Sequence, residues 1–270
     1  RDARHAYYGM TSYIDDKLNV KLDGRLEPGD NDFSLTFTYP QAEKSYSLNL
    51  KGRLANFDLF MPWKGVQGEA TFLAEIKGPK PTTELSGVIE FKGPLFPFPN
   101  FAQALTDYTG LVFIQNNKAS IRSLQAKLGG GNVFGSGEIR IGKGGLEFID
   151  LRAEGKDMVL SLLERTRALA DGSLRLFRDK NQFALSGEFL IKQLSWRREL
   201  DEKFSFSTSP YIEAKKEPSI FDDMTLDIRL RADDNAMVEN ALGRIQGRFN
   251  LTITGNAGSP IVLGDIEGLR

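Results

Sequence analysis

Few residues of this 270-residue chain have side chains suited to acid–base or nucleophilic chemistry. His5 is the one histidine, and it lies in a polar stretch at the start of the chain. A Ser-His-Asp triad needs a histidine held between a nucleophile and a carboxylate. Cysteine is absent, which excludes disulfides, thiolate catalysis and cysteine-ligated metal centres. We therefore interpret His5 as a terminal residue without a chemical role, and we predict that the protein is not an enzyme and has no cofactor or metal.

Three pairs of adjacent acidic residues could supply an acid and a base, or ligands for calcium. They are Asp15-Asp16, Asp222-Asp223 and Asp233-Asp234. Adjacent residues of an extended strand point to opposite faces, and these pairs lie near the ends of segments. We interpret them as solvated acids in turns.

Two glycine clusters resemble phosphate-binding loops only superficially. Gly129-Gly130-Gly131 is followed by Asn-Val-Phe instead of the Gly-Lys-Ser/Thr that completes such a loop. The second cluster, Gly142-Lys143-Gly144-Gly145, lacks both the hydroxyl residue and the following helix. Both clusters predict hairpin turns.

One segment, Trp196-Arg197-Arg198, combines an aromatic ring with two positive charges. This combination suits contact with anionic lipid headgroups at the rim of a groove. It equally suits an edge strand whose long basic side chains reach solvent.

The charge balance and the length of the apolar runs exclude other classes of partner. The chain has 35 Lys and Arg against 36 Asp and Glu, and it has no basic block, so nucleic acid is not indicated. No run approaches the roughly 18 apolar residues that a membrane-spanning helix requires. The start shows no signal-peptide pattern. We expect the chain to be a processed or excised piece of a longer protein.

Alternation of apolar and polar residues dominates the chain, as in Phe33-Leu35-Phe37-Tyr39 and Phe249-Leu251-Ile253. This period of two, with turn residues between the runs, predicts roughly fourteen strands. Asp157–Ala170 fits either a helix or a strand followed by a loop, and Asn100–Tyr108 and Asn235–Leu242 are further helix candidates.

Two hairpins repeat one pattern. FLAEIKG (72–78) is followed nine residues later by Gly87, and FNLTITG (249–255) is followed nine residues later by Gly264. Each second glycine begins the sequence Gly-x-Ile-Glu. Repeated hairpins are typical of stacked bodies in which each unit packs mainly on its neighbours.

An alternating antiparallel sheet has one wet and one dry face, and this chain offers almost no helix to cover the dry one. The sheet must therefore fold over on itself. Glycines within the runs either permit this bending or end the strands; they are Gly87, Gly135, Gly137, Gly187 and Gly264. We predict an all-β fold: an elongated, curved antiparallel or mixed sheet folded into a U-shaped, taco-like hydrophobic groove.

Phenylalanine outnumbers the other aromatic residues, with 19 Phe against 7 Tyr and 2 Trp. Phe has no polar group that needs a hydrogen-bond partner when buried. Such an interior suits a surface for acyl chains, and it equally suits an ordinary sandwich core.

Three stretches carry a resemblance to a known family. The sequence LDIRLRADDNAMVENALGRIQGRFNLTITGNAGSPIVLGDIEG (226–268) resembles the TamB family of AsmA-like bacterial envelope proteins. Its pattern is a strand that begins with Asp, a central N-x-x-V-x-N segment, and a strand-Gly-turn-Pro-strand hairpin. ASIRSLQAKLGGGNVFGSGEIRI (119–141) and FALSGEFLIKQLSWRREL (183–200) also resemble repeat units of that family.

The resemblance implies a single elongated groove over residues 1–270, with a candidate sub-boundary near 200–222. It implies a periplasmic fragment, anchored in the inner membrane by another part of its parent, that carries phospholipid acyl chains between the inner and outer membranes. Alternatively, the chain assists the assembly of outer-membrane β-barrel proteins with an Omp85-family partner, for which exposed strand edges would be suited.

The apolar positions of the predicted strands give the expected lining of this groove. The predicted lining residues are Phe72, Ala74, Ile76, Ile89, Phe91, Leu111, Phe113, Ile121, Ile139, Ile141, Leu151, Leu174, Leu176, Phe183, Leu185, Phe189, Ile191, Leu226, Ile228, Leu230, Phe249, Leu251, Ile253 and Ile266.

Overall fold

The structure is a computed structural model. It describes residues 5–14, 17–26, 31–40, 45–55, 64–79, 83–98, 103–142, 145–161, 166–180, 182–198, 223–240 and 243–269. Asp15-Asp16, Asp222 and the candidate boundary near 200–222 lie outside these residues, as do the side chains of His5 and of Trp196-Arg197-Arg198.

The described residues form fifteen strands and no helix, which confirms the all-β prediction. The strands are β1 (His5–Ile14), β2 (Lys17–Leu26), β3 (Asn31–Pro40), β4 (Ser47–Leu54), β5 (Gln67–Lys77), β6 (Glu84–Phe96), β7 (Leu105–Gln115), β8 (Lys118–Leu128), β9 (Gly131–Gly142), β10 (Gly145–Leu160), β11 (Thr166–Asp179), β12 (Gln182–Arg198), β13 (Thr225–Asn240), β14 (Gly243–Asn256) and β15 (Ser259–Gly268).

The helix predictions are wrong wherever the structure describes those segments. Asp157–Leu160 ends β10, and residues 166–170 begin β11. Burial alternates there with period two: Met158 and Leu160 are buried and Val159 is exposed. The described parts of the other two candidates likewise contain strand and no helix.

Strands that follow one another in the chain are neighbours in one mixed sheet, in the order β1 to β15. The pairs of described register are antiparallel, except that β12 and β13 run parallel. A parallel pair needs a long crossover connection, whereas an antiparallel pair needs only a turn.

The chain divides into two compact units, which are described separately. Unit 1 comprises Arg1–Lys127 and Phe134–Phe148, and unit 2 comprises Leu128–Val133 and Ile149–Arg270.

The two repeated hairpins have the same internal register. In β5–β6, Phe72 pairs with Ile89 and Ala74 pairs with Gly87. In β14–β15, Phe249 pairs with Ile266 and Leu251 pairs with Gly264. The sequence repeat therefore corresponds to one hairpin geometry, used once in each unit.

The glycines outside and inside the strands have different roles. Gly129 and Gly130, with φ of 57° and 88°, form the turn between β8 and β9, as predicted. Gly87, Gly187 and Gly264 lie within strands, and the cross-strand register continues through them. The alternative that these three glycines end strands is therefore wrong. The described register shifts lie elsewhere, for example near Ile191–Leu194 and Ala232–Ala236.

Two of the acidic residues singled out from the sequence are not in turns. Asp233 and Asp234 lie within β13, at its register shift, and Asp233 accepts a 2.8 Å hydrogen bond from Arg231. Asp223 does lie in a turn, just before β13. In the described parts of the chain, no group of three or more His, Asp or Glu residues could hold a metal ion.

Candidate functional site: the apolar faces of the two units

Residues paired directly across neighbouring strands project to the same face of a sheet. In unit 1 the register assembles one face from three rows of side chains that run across the strands. The rows are Gly24–Phe33–Gly52–Phe72–Ile89–Val112, Leu22–Leu35–Leu50–Ala74–Gly87–Ile114, and Val20–Phe37–Leu48–Ile76–Leu85. We call this side the apolar face of unit 1 and the opposite side its outer face.

The two faces of unit 1 differ completely in charge. The three rows contain no Asp, Glu, Lys or Arg. On the outer face, Glu69 accepts hydrogen bonds from Arg53 and lies 3.0 Å from the ammonium nitrogen of Lys92. These two cations lower the pKa of Glu69. Charged residues are thus confined to the outer face of this part of the sheet.

Aromatic rings on the apolar face lie over glycines of the neighbouring strand. A β-carbon at Gly52 would come 2.6 Å from Cζ of Phe72, and one at Gly110 would overlap the ring of Phe91. Phe33 covers Gly24 in the same way. An aromatic ring over a strand glycine covers exposed backbone and fixes the register. The rings lie against the sheet and so form part of the surface of the face.

One edge of the apolar face of unit 1 is filled by its own side chains. Tyr108 is 2 % exposed and packs with Val66, Ala70 and Ala126, and its hydroxyl donates a 2.9 Å hydrogen bond to the carbonyl of Gln67. Burial raises the pKa of Tyr108 to about 12. Further along the same face, Ile76, Leu85 and Ile114 are only half-buried. The face is therefore closed near Tyr108 and more accessible near Ile76.

The accessible edge of this face carries tyrosines. Tyr13 and Tyr39 both pair with Leu18, one from each side. Tyr46 stacks on Phe37 and forms a 2.9 Å hydrogen bond with the Thr83 hydroxyl. Tyrosine combines an apolar ring with a polar tip, which suits a boundary between an apolar surface and water.

Unit 2 has an apolar face of the same construction. Its rows are Leu176–Leu185–Leu226–Gly255–Pro260, Leu174–Gly187–Ile228–Ile253–Val262, and Gly172–Phe189–Leu230–Leu251–Gly264. None of these positions is charged, and Phe189 lies over Gly172. The parallel pairing of β12 and β13 continues the rows without a break.

A bulge in β12 preserves this face. Ala170 pairs with Ile191 and Ala168 pairs with Leu194, so β12 contains one additional residue, near Lys192. The extra residue keeps both Ile191 and Leu194 on the apolar side.

The Lys192 ammonium lies 2.7 Å from Asp157 Oδ1 and 2.7 Å from Asp171 Oδ2. These hydrogen bonds raise the pKa of Lys192. The pKa of Asp171 is lowered by its hydrogen bonds from Lys192 and from the Asp157 backbone N–H. The cluster therefore ties β10, β11 and β12 together beside the bulge.

Most of the predicted lining residues lie on these two faces. In unit 1 they are Phe72, Ala74, Ile76, Ile89 and Phe91. In unit 2 they are Leu174, Leu176, Phe183, Leu185, Phe189, Ile191, Leu226, Ile228, Leu230, Phe249, Leu251, Ile253 and Ile266.

The placement of Leu111 and Phe113 on this surface is wrong. Leu111 pairs with Glu90 and Phe113 pairs with Val88, so both project to the outer face. The ring of Phe113 is 41 % exposed and lies 5.9 Å from the Arg122 guanidinium carbon. The residues that face inward here are Val112 and Ile114.

Four predicted positions lie in strands whose cross-strand register is not described. Ile121, Ile139 and Leu151 are half-buried, whereas Ile141 is 58 % exposed. The prediction also omitted the inward residues of β2 to β4, among them Leu22, Phe33 and Leu50. The alternation of apolar and polar residues in these strands was the sequence signal that could have identified them.

A mixed sheet built of repeated hairpins, with a polar outer face and charge-free rows of apolar residues in each unit, defines an all-β repeat protein with an extended apolar surface. The sequence model of the TamB C-terminal domain matches residues 122–270, which is more than half of the chain. The chain belongs to the TamB family.

This family acts in the bacterial envelope, in outer-membrane biogenesis, together with an outer-membrane partner. No curated protein and no solved structure matches the chain. Among the described residues, no helix is long and apolar enough to span a membrane.

Proposed function

We propose that the apolar faces line a groove that carries phospholipid acyl chains through the periplasm between the inner and outer membranes, without catalysing a reaction. The observation that supports this function is the set of charge-free rows, which in unit 1 run across six consecutive strands. Six strands about 4.8 Å apart extend over roughly 24 Å. That distance exceeds the thickness of one hydrocarbon leaflet, which is roughly 15 Å, half of a bilayer core of about 30 Å.

The energetics of such a surface favour transfer over tight capture. Burying one methylene contributes about 0.8 kcal/mol. A chain that moves by one strand loses contacts at one row position and gains similar contacts at the next. The β5–β6 and β14–β15 hairpins share one register, so corresponding row positions of these two hairpins are alike.

The tyrosine-bearing edge of unit 1 supports the same role. Acyl chains would lie on the half-buried part of the face, and polar headgroups would lie towards Tyr13, Tyr39 and Tyr46. The closed edge at Tyr108 would then act as the inner wall.

Lipid analysis of the purified chain tests this proposal. The chain is purified without detergent, and bound lipid is measured by mass spectrometry. Phe189→Asp should lower the amount of co-purified lipid, because it places an unsolvated charge on the apolar face of unit 2 while the face of unit 1 is unchanged. Leu190→Asp is the matched control, since Leu190 is the next residue and projects to the exposed outer side. Wild-type protein without lipid, or equal lipid in the two variants when both are folded, would contradict the proposal.

A second function is favoured by the last strand. β15 is exposed along its whole length and presents apolar side chains on both faces, with Val262 and Ile266 on one and Ile261 and Leu263 on the other. A strand of this kind is suited to pairing with another strand. We propose as the alternative that the chain assists assembly of outer-membrane β-barrel proteins with an Omp85-type partner. Photo-cross-links from β15, and none from the apolar faces, would favour this alternative.

A further inference from the structure

One charged side chain lies on the apolar side of unit 2. Arg178 pairs directly with Phe183, two residues beyond the Leu176–Leu185 pair, and therefore projects to the same face. Among the β11–β15 positions that the described register places on this face, and whose side chains are described, Arg178 is the one with a charge. It is half-buried.

The surroundings of Arg178 differ from those of the arginines on the outer face. Its guanidinium carbon lies 5.6 Å from the centre of the Phe183 ring, which it contacts by a cation–π interaction. No salt bridge joins it to a carboxylate in the described part of the chain. A cation that is partly desolvated and lacks an acidic partner retains its capacity for charge-assisted hydrogen bonds.

Arg175, three residues earlier on β11, provides the contrast. It lies over the ring of Phe177, at 4.9 Å, so it also has an aromatic neighbour. Its guanidinium, however, donates two hydrogen bonds of 2.7 and 2.9 Å to the carboxylate of Asp150. Arg175 pairs with Ser186 and projects to the outer face. The two arginines thus have similar local settings, but within the described residues only Arg175 has a carboxylate partner.

The position of Arg178 relative to the apolar rows identifies the ligand chemistry. Two residues along a strand correspond to about 7 Å, so Arg178 lies one row beyond Leu176–Leu185–Leu226, next to the turn that joins β11 and β12. An amphiphile with its alkyl chains on the rows would place its polar end there. The planar guanidinium binds phosphate in a bidentate manner.

We propose that Arg178 binds the phosphate of a lipid headgroup whose acyl chains lie on the apolar face of unit 2. This assignment rests on the proposed function of that face and adds a specificity to it: phosphate-bearing lipids are preferred over uncharged lipids with the same chains. A lipid phosphate and inorganic phosphate both present oxygens that accept two hydrogen bonds from a guanidinium. The experiment must therefore distinguish these two ligands.

The experiment measures equilibrium binding of three probes to the full chain at low salt. The probes are short-chain phosphatidylglycerol, diacylglycerol with the same acyl chains, and inorganic phosphate. Wild-type protein should bind the phospholipid roughly tenfold more tightly than the diacylglycerol, a typical gain for one charge-assisted pair. Arg178→Gln should reduce this preference to about one without changing diacylglycerol binding. Arg178→Lys should retain part of it.

Arg175→Gln is the matched control and should keep the wild-type preference. If the phospholipid preference survives in Arg178→Gln while both lipids bind, the assignment of Arg178 is wrong and the apolar-face function stands. If neither lipid binds to wild-type protein, both proposals are wrong. If inorganic phosphate binds as tightly as the phospholipid and depends on Arg178, the site is a free-phosphate site, which also overturns the headgroup assignment.

Discussion

The ring of Phe91 on β6 lies over Gly110 on β7, in the space that a β-carbon at residue 110 would occupy. Phe72 over Gly52 and Phe189 over Gly172 have the same relationship. The pairing explains the glycines at these three strand positions: Gly52, Gly110 and Gly172 each accommodate a cross-strand ring, and the ring covers the backbone that the glycine exposes.

Gly110→Ala should therefore destabilise the protein, by about 1–3 kcal/mol, because the methyl group would displace the Phe91 ring. Gly9→Ala is the matched control: its β-carbon would lie 3.4 Å from Leu22 Cδ1, and its effect should stay within about 0.5 kcal/mol. Urea unfolding followed by circular dichroism measures both. Equal midpoints for Gly110→Ala and wild type would contradict this account of the ring–glycine pairs.

Tyr108 should contribute stability that is lost at high pH. Its folded-state pKa of about 12 lies above the ordinary value of 10.0, so its contribution is complete below pH 10 and declines as the pH rises towards 12. Tyr108→Phe should cost about 0.5–1.5 kcal/mol at pH 7, because it removes the hydrogen bond to the Gln67 carbonyl.

The same variant should lose less stability than wild type between pH 10 and pH 12. Urea midpoints measured across this range provide the test. Parallel pH dependence in the two proteins would show that Tyr108 titrates normally.

The Lys192 cluster should show the opposite pH dependence. The folded-state pKa of Asp171 is below its ordinary value of 3.8, so the stability from this carboxylate is present above pH 3.8 and lost as the pH falls through the lowered value. Lys192→Met should be less stable than wild type at pH 7, because Asp157 and Asp171 then lack their shared cation.

The difference between Lys192→Met and wild type should shrink in strong acid, as the Asp171 carboxylate becomes protonated. Urea unfolding at pH 7, pH 5 and pH 2 measures it. Lys192→Arg, which keeps the charge, serves as the control and should recover part of the stability. A difference that persists unchanged at pH 2 would mean that Lys192 acts through packing of the bulge and not through charge.

Phe189→Asp and Leu190→Asp should differ in stability as well as in lipid content. The first variant removes the half-buried ring over Gly172 and places a carboxylate on the apolar face, so we expect a cost of about 2 kcal/mol or more, less than the roughly 3–5 kcal/mol for a fully buried ring. The second replaces a side chain that is 42 % exposed and should change stability by less than about 1 kcal/mol. Thermal unfolding measures the stability of both variants. Equal losses of stability would contradict the assignment of Phe189 to the apolar face and Leu190 to the outer face.

The alternation of residue types was sufficient to predict the strands and most of the apolar face. Where polar residues separate the apolar ones, as in Phe249-Leu251-Ile253, the inward side is unambiguous. It failed at Leu111-Val112-Phe113-Ile114, because four consecutive apolar residues fit either face and only the pairing with β6 distinguishes them. The alternation left 157–170 open between a helix and a strand followed by a loop, whereas the described residues there, 157–160 and 166–170, lie in strands.

Other features depend on contacts distant in the chain. The parallel pairing of β12 with β13 follows a long connection and has no local signal in either strand. The cluster of Lys192 with Asp157 and Asp171 joins residues 14 to 35 positions apart, and the additional residue in β12 becomes visible only through its pairing with β11.

Photo-cross-linking in cells tests the central claim most directly. A photoreactive amino acid is placed at Phe72 or Phe189, which face the apolar side, and at their neighbours Leu73 or Leu190, which face outward. With radiolabelled phospholipid, we expect cross-linked lipid at positions 72 and 189 and background signal at 73 and 190. Equal labelling of the two sets, or labelling confined to the outward positions, would contradict the assignment of the apolar faces as the lipid-bearing surface.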